Sequence, residues 1–397
     1  MKKYMVTTIA AVLSVAVIGS YYVYGAMDKM PEYTLMTVSG DESLVEHLYI
    51  DGHYQARRKS EYFTLSLNGT EYQSERPWIW QEISRSRSWL RSMEDIQQLY
   101  RDERGFMRGK VETDGFYQDE HVIIYAKMSL SRNIRLHLET LNKATRDAEK
   151  FQLSIPAEPS QLYVHVADVQ LVGDEVYIMA IYGYRDKTNE FWLYAVDPSA
   201  GTILRSEKLY VDAEADAQFR VYTDLLSDNQ VTVPSDYVVF HTRQEQVGAS
   251  GNKETPTSYV NRLFVYSYPS GSMVPLPEEW AHTEGEDWRF QLDGTILYRM
   301  ISRDSEIVVV HYDLKTGSTG SIRVNAEDVG GDYFHSVELR NGMLYVLSLS
   351  STGEENSVHV LDATNGEKRY EGEITVKGAS QEPLLDLWLG GIMFLYD

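Results

Sequence analysis

From Val337 to Ile374 the chain reads VELRNGMLYVLSLSSTGEENSVHVLDATNGEKRYEGEI, apolar-alternating runs separated by polar turns. Alternation with a period of two predicts strands with a buried face. Asn341-Gly342 separates the first two runs, and such a pair accepts the positive φ that a type I′ hairpin requires. Further on, an apolar run ends at Asp362, and Gly366 follows four residues later. An Asp here caps backbone N–H groups two or three residues on, and Gly takes the left-handed position that returns the chain.

Both halves of this pattern recur. The first half appears in FQLDGTILYRM (Phe290–Met300), VQLVGDEVYIMAI (Val169–Ile181) and LWLGGIMFLYD (Leu387–Asp397). Looser copies are LYIDGHY (Leu48–Tyr54), FYQDEHVIIYA (Phe116–Ala126) and LLSDNQVTV (Leu225–Val233). The second half appears with Asp197 and Gly201, with Asp313 and Gly317, and with Ser267 and Gly271. The turn pairs begin at residues 51, 119, 173, 228, 293, 341 and 390, about 48 to 68 residues apart. A period near 50 residues with about four strands per unit predicts a propeller.

The runs ending in Asp-x-x-x-Gly, above all YDLKTG at Tyr312–Gly317, resemble the blade repeat of quinoprotein-like and WD-type β-propellers. The resemblance runs from Leu44 to Asp397, is generic to the architecture, and lacks a Trp-Asp dipeptide in these turns. It implies a fold and no activity. The expected fold is therefore an all-β propeller of seven four-stranded blades, with six blades as the runner-up and a pair of β-sandwiches as the rival. The last repeat stops after two strands, so the ring is expected to close through a blade shared between Tyr33–Val38 and Leu384–Tyr396.

Two segments break the repeat. In residues 76–110, Trp89, Leu90, Met93, Ile96, Leu99 and Tyr100 follow helical spacing and predict one apolar face. Arg85, Arg87, Arg91, Arg101, Arg104, Arg108 and Lys110 make this the most basic part of the chain. A basic amphipathic helix touches lipid headgroups or a partner, or is an insertion packed on the propeller edge. The polar segment His241–Val260 predicts an extended hairpin loop between blade strands.

The N-terminus changes the picture of location. After Lys2 and Lys3 no charge occurs until Asp28, and Met5–Ala26 is long enough to span a hydrocarbon core of ~30 Å. The lysines place the N-terminus in the cytoplasm and the bulk of the chain outside. Tyr21, Tyr22 and Tyr24 stand where an interfacial belt lies. A cleaved signal peptide ending at Val23-Tyr24-Gly25 is the competitor, but the apolar run exceeds the usual length. The expected organisation is a membrane anchor over residues 1–28 and an extracytoplasmic propeller over residues 33–397, with 76–110 a helical insertion.

Composition narrows function mainly by exclusion. The 397 residues carry a net charge of −22, which repels phosphate backbones and argues against nucleic acid as a partner. Twenty-nine tyrosines fit half-buried pleated surfaces. There is no cysteine, so disulfides, thiolate metal sites and thiol nucleophiles are excluded. Metalloprotease, phosphate-loop, dinucleotide and serine-hydrolase motifs are absent. His47 with His53, and His359 with Asp362, lie near each other without metal-site spacing, and read as strand-surface residues. Asp212, Glu214 and Asp216 alternate as calcium ligands do, but Ala217 stands where a turn glycine is needed. No catalytic, cofactor-binding or metal-binding residue is nominated, and no cofactor is expected. The expected function is a membrane-anchored binding, scaffold or sensory module at the cell envelope, with a protein or other envelope component as partner. The alternative is an envelope lyase or glycoside hydrolase with acids at a central channel.

Overall fold

The computed structural model describes residues 14–15, 30–56, 59–75, 94–110, 114–157, 160–185, 189–211, 219–226, 232, 234–246, 259–284, 288–303, 305–350, 356–377 and 387–394. Its strands form six antiparallel sheets in a propeller-like arrangement. In chain order, β1 (Tyr33–Gly40) comes first, followed by β2 (Leu48–Ala56), β3 (Lys59–Ser66) and β4 (Gly69–Tyr72) of sheet 1. Helices α1 (Glu94–Asp102) and α2 (Arg104–Met107) follow. Sheet 2 holds β5 (Phe116–Gln118), β6 (Val122–Leu130), β7 (Ile134–Asn142) and β8 (Ala148–Ile155). Sheet 3 holds β9 (Gln161–Val172), β10 (Glu175–Tyr184), β11 (Asn189–Asp197) and β12 (Thr202–Val211). Sheet 4 holds β13 (Phe219–Leu226), β14 (Tyr237–Gln246), β15 (Tyr259–Ser267), β16 (Ser272–Val274) and the short β17 (His282–Glu284). Sheet 5 holds β18 (Arg289–Asp293), β19 (Ile296–Arg303), β20 (Glu306–Asp313) and β21 (Thr319–Asn325). Sheet 6 holds β22 (Tyr333–Arg340), β23 (Met343–Leu349), β24 (Asn356–Asp362) and β25 (Lys368–Val376). The last strand is β26 (Leu387–Phe394).

The outer hairpins form as their sequence requires. Asp197 Oδ1 accepts from Ser199 N at 2.8 Å and Ala200 N at 3.0 Å, and Asp362 Oδ1 accepts from Thr364 N at 2.9 Å. Gly201, Gly271, Gly317 and Gly366 each donate N–H to the carbonyl four residues back, at φ between 62° and 76°. Sheet 2 uses the same turn in disguise. Asn142 Oδ1 accepts from Ala144 N and Thr145 N, while Arg146 takes the left-handed position at φ 65°. Asn replaces Asp as the cap and a non-glycine replaces Gly, so a search for Asp-x-x-x-Gly passes over it.

Six sheets among the described residues replace the seven blades expected. The miscount has a physical source. Asp51-Gly52 and Gly390-Gly391 are not turns; they lie inside β2 and β26, which pair with each other across a register shift. A Cβ on Gly390 would come within 2.5 Å of Asp51 Oδ1, so the glycine makes room for the carboxylate on the facing strand. The closure also differs from the expected shared blade. Both terminal strands are used, but in different sheets. β26 pairs with β2 and completes sheet 1, whereas β1 pairs with β25 and extends sheet 6 to five strands. The two sheets then pack together through Tyr33, Leu35, Ile50, Leu65, Val358 and Leu389.

Further apolar clusters join sheets 2 and 3, 3 and 4, 4 and 5, and 5 and 6. The 1–2 junction is different. The sheet 2 face away from sheet 3 presents Ile123, Tyr125 and Leu141, and these are covered by Ile96, Leu99 and Met107 of the helices. Among the described residues no apolar cluster joins sheet 1 directly to sheet 2. The described part of the 76–110 segment, residues 94–110, packs on a sheet through the predicted Ile96–Leu99–Tyr100 face. Trp89, Leu90, Met93, Arg85, Arg87 and Arg91 lie outside the described residues. The predicted loop from His241 is corrected: β14 continues to Gln246 and β15 starts at Tyr259, with 247–258 outside the described residues. Among the described residues no helix is long and apolar enough to cross a membrane. Apart from Ser14 and Val15, the predicted anchor Met5–Ala26 lies outside them.

Gly390→Ala is expected to destabilise the fold by ~1–3 kcal/mol, because the new methyl meets a packed carboxylate. Adding Asp51→Ala is expected to restore most of the loss. Urea unfolding of the two single variants and the double variant checks the coupling; additive losses would show that the pair is not in contact.

Candidate functional site

The described polar clusters divide into buried nodes between elements and one open face. The deepest node stitches sheet 3 to sheet 4. Asp168 on β9 is buried and accepts three donors: Tyr268 OH at 2.5 Å, Val169 N at 2.9 Å and Gln170 Nε2 at 3.0 Å. Gln170 Oε1 in turn accepts Ser235 N at 2.9 Å, just ahead of β14. Burial raises the Asp168 pKa above the ordinary carboxylate range, and the three hydrogen bonds pull the other way. With both oxygens engaged by protein donors and only 4% exposure, this carboxyl fastens two sheets.

A second node fastens the helical insertion. Lys110 Nζ donates to Glu139 Oε2 at 2.6 Å and to Phe106 O at 2.5 Å, and lies 3.9 Å from the Phe106 ring centre. Desolvation lowers the lysine pKa while Glu139 opposes that shift. Lys150 joins from solvent, 3.2 Å from Glu139 Oε1. The most basic segment of the chain therefore spends its terminal lysine on internal docking.

A third node lies between sheets 5 and 6. His359 Nε2 is 2.9 Å from Ser357 Oγ, an arrangement that on the surface would suggest a nucleophile and its base. Here the imidazole is only 1% exposed, and Ser348 and Ser357 point at each other and at the Val329 carbonyl. His359 is thus a core residue, correcting its reading as a strand-surface one. Asp362, the other half of that sequence pair, caps its turn instead. Asp293 is a structural acid too, accepting the Gly342 N–H across the 5–6 junction. The alternating acids Asp212, Glu214 and Asp216 lie outside the described residues. Among the described residues no group of three or more His, Asp or Glu side chains is placed to hold a metal ion.

The open face belongs to sheet 1, on the side away from its core. His53 on β2 stands opposite Trp388 on β26 and opposite Tyr62 on β3, so three rings form one row across three strands. His53 and Tyr62 are 4.6 Å apart at 42°, and Trp388 meets His335 of sheet 6 edge-on at 6.3 Å. Trp388 is 57% exposed and Tyr62 62% exposed, both far beyond the norm for large aromatics in a sheet. Ser60 Oγ fixes His53 from the strand end at 2.8 Å. The row exists because Leu389, Gly52 and Phe63 occupy the opposite face, where a Cβ on Gly52 would strike the Phe63 ring at 2.3 Å. A rigid row of exposed rings on paired strands offers stacking and apolar contact at small entropic cost.

Of the residues weighed in the sequence, His53 enters this face and His47 does not. Trp388 and Tyr62 went unrecognised because each sits beside a core residue, Leu389 or Phe63. Two consecutive apolar residues do not reveal which one faces out.

Lys110→Met leaves Glu139 with only a solvent-side partner and is expected to cost about 3 kcal/mol. Hydrogen exchange should show the loss first in residues 94–109; unchanged protection there would contradict the docking role. For Asp168 the sign follows from its raised folded pKa. The folded chain holds the proton more tightly than the unfolded chain, so stability is greatest below the usual carboxylate pKa and falls as pH rises through the folded one. Asp168→Asn keeps the acceptor for Val169 N and Gln170 and cannot ionise. Its stability relative to wild type is expected to improve as pH rises from below the usual carboxylate pKa to pH 8 in denaturant titrations, and a relative loss over that rise would refute the assignment.

No protein-family model matches the chain, and no curated protein matches it. Similar solved structures include the polysaccharide lyase Uly1, at 11% identity and TM-score 0.33 over 66% of this chain and 57% of that one. Cobalt-substituted apocarotenoid oxygenase from Synechocystis is 9% identical, with TM-score 0.33 over 70% of this chain and 61% of that one. An acylaminoacyl peptidase is 9% identical, with TM-score 0.30 over 68% and 47%. The chain thus spans 57% of the lyase's length and 61% of the oxygenase's, and at these TM-scores none of the three bears on what it binds or does.

Proposed function

We propose that this chain is a binding module held on the outer face of a cell membrane, with the aromatic face of sheet 1 as its contact surface. Six blades form the ring in this reading, and the helical insertion takes the place of direct packing between blades 1 and 2. The observation that carries the proposal is the exposed Trp388–His53–Tyr62 row. Leaving two large aromatics in water forgoes burial of ~1.5–3 kcal/mol each, which a partner recovers on docking. The location rests on the apolar run Met5–Ala26 behind Lys2 and Lys3. The partner is a protein or another envelope component. A binding role also fits the buried carboxyls, since Asp168 and Asp293 are engaged by donors of the fold itself.

Two measurements test the two parts. Protease added to intact spheroplasts is expected to remove a C-terminal tag and spare an N-terminal one; the reverse pattern would overturn the location. Cross-linking of the full-length protein in envelope membranes is expected to yield adducts that Trp388→Ala with Tyr62→Ala abolishes, while the thermal melt stays within ~0.5 kcal/mol of wild type. Adducts unaffected by the double variant would reject this face. Turnover of an envelope polysaccharide by the wild-type protein would favour a lyase or glycoside hydrolase instead.

A further inference from the structure

The link from sheet 5 to sheet 6 runs through a 3-10 turn, Ala326–Val329, and then Gly330 at φ 70° before β22 begins. Ala326 and Val329 are buried in the apolar cluster between the two sheets, and Asp332 N donates to Leu349 O at 3.0 Å. What holds the turn from beneath is a chain of polar groups: His359, Ser357, Ser348 and the Val329 carbonyl. Successive separations are 2.9 Å, 2.7 Å and 3.2 Å. One proton arrangement satisfies all three. The imidazole donates from Nε2 to Ser357, Ser357 donates to Ser348, and Ser348 donates to the carbonyl of Val329. In that arrangement Nδ1 carries no proton, and it is buried with no hydrogen-bond partner.

We propose that His359 is an acid-operated latch: proton uptake at Nδ1 expels the imidazole from its seat and frees the 326–332 link from sheet 6. The second proton lands on a ring that is 1% exposed, at an atom without a hydrogen-bond partner, with the Val329 carbonyl the one backbone acceptor that favours the charged form. A cation this deeply buried is costly even with that acceptor, because desolvation outweighs it. The elements around it offer little relief. β25 presents Lys368, which repels the cation, and Glu371, which attracts it but is 3.2 Å from Lys368 itself. β23 presents the neutral Ser348, and the 3-10 turn presents the Val329 carbonyl, with Glu327 and Asp328 exposed on its outer side. The apolar cluster that holds Ala326 and Val329 includes Ile307, Val309 and Val324 of sheet 5. Burial, with Lys368 adding to it, pushes the folded imidazole down to about 4.

The sign is that of a histidine whose folded pKa lies below its unfolded value. Its neutral form supports the closed link fully above about pH 6.5, and that support drains away as pH falls from there toward 4. At pH 5 the open fraction of the link is expected to be about 30-fold higher than at pH 8. The latch stands apart from the binding role proposed above, since it involves neither the sheet 1 face nor the anchor.

Hydrogen exchange of the full-length protein in detergent, at pH 8 and pH 5 and corrected for intrinsic exchange, tests it. Residues 326–335 are expected to lose about 30-fold of their protection at pH 5, while residues 176–196 of sheet 3 keep theirs. His359→Gln preserves a donor near Nε2 and cannot titrate, so it is expected to remove the pH dependence of the link. Equal loss in wild type and His359→Gln, or equal loss in both segments, would overturn the latch. Should the variant fold poorly, exchange of the His359 C2 proton in wild type reports the residue's own pKa. A value near 4 supports the latch, and one near 6.5 refutes it.

Discussion

Among the described residues, sheets 2 to 6 each bury an apolar face on both sides, and that requirement organises the rest. A strand that alternates buried residues to both sides cannot end a stack in water; it needs a neighbour on each side. For sheets 3, 4, 5 and 6 the neighbours are other sheets. Completing sheet 1 and packing it on sheet 6 therefore requires strands from opposite ends of the chain. β26 returns to β2, and β1 crosses to β25, so the two terminal strands lock one junction from its two sides. Contacts this distant in sequence close a very long loop before they yield any stabilisation. The junction between sheets 6 and 1 accordingly carries a large loop-closure cost.

The exception is the junction between sheets 1 and 2. There the outer face of sheet 2 is served by two short helices, fastened by Lys110 to Glu139. Among the described residues no apolar cluster covers sheet 1 on that side. That face carries Trp388, His53 and Tyr62 beside the polar Ser60. The same insertion that breaks the repeat thus creates the surface best suited to recognition, a familiar relation between irregular segments and function on regular scaffolds.

Two buried ionisable groups with shifted titration lie elsewhere. Asp168 ties sheet 3 to sheet 4 and His359 ties the 5–6 link to sheet 6. Perturbed groups cluster at active sites in many enzymes, but a buried carboxyl or imidazole whose partners are all internal marks a joint in the scaffold. These joints respond to pH with opposite signs: acid relieves the ionised Asp168 and burdens the neutral His359.

Local chemistry alone determined the all-β class, the capped Asp-x-x-x-Gly turns and the apolar face through Ile96 and Leu99, because each depends on residues within one turn or one helical face. Asn142 and Arg146 escaped notice only because a turn tolerates a second spelling of the same hydrogen bonds. The tertiary structure decided the number of sheets and their closure. Asp51-Gly52 and Gly390-Gly391 have the composition of turns, yet strand pairing between chain ends turns them into facing irregularities. It also decided which of two adjacent apolar residues, Trp388 or Leu389, looks outward. That choice depends on which neighbour a sheet face meets, and neighbours hundreds of residues apart in sequence leave no local trace of it.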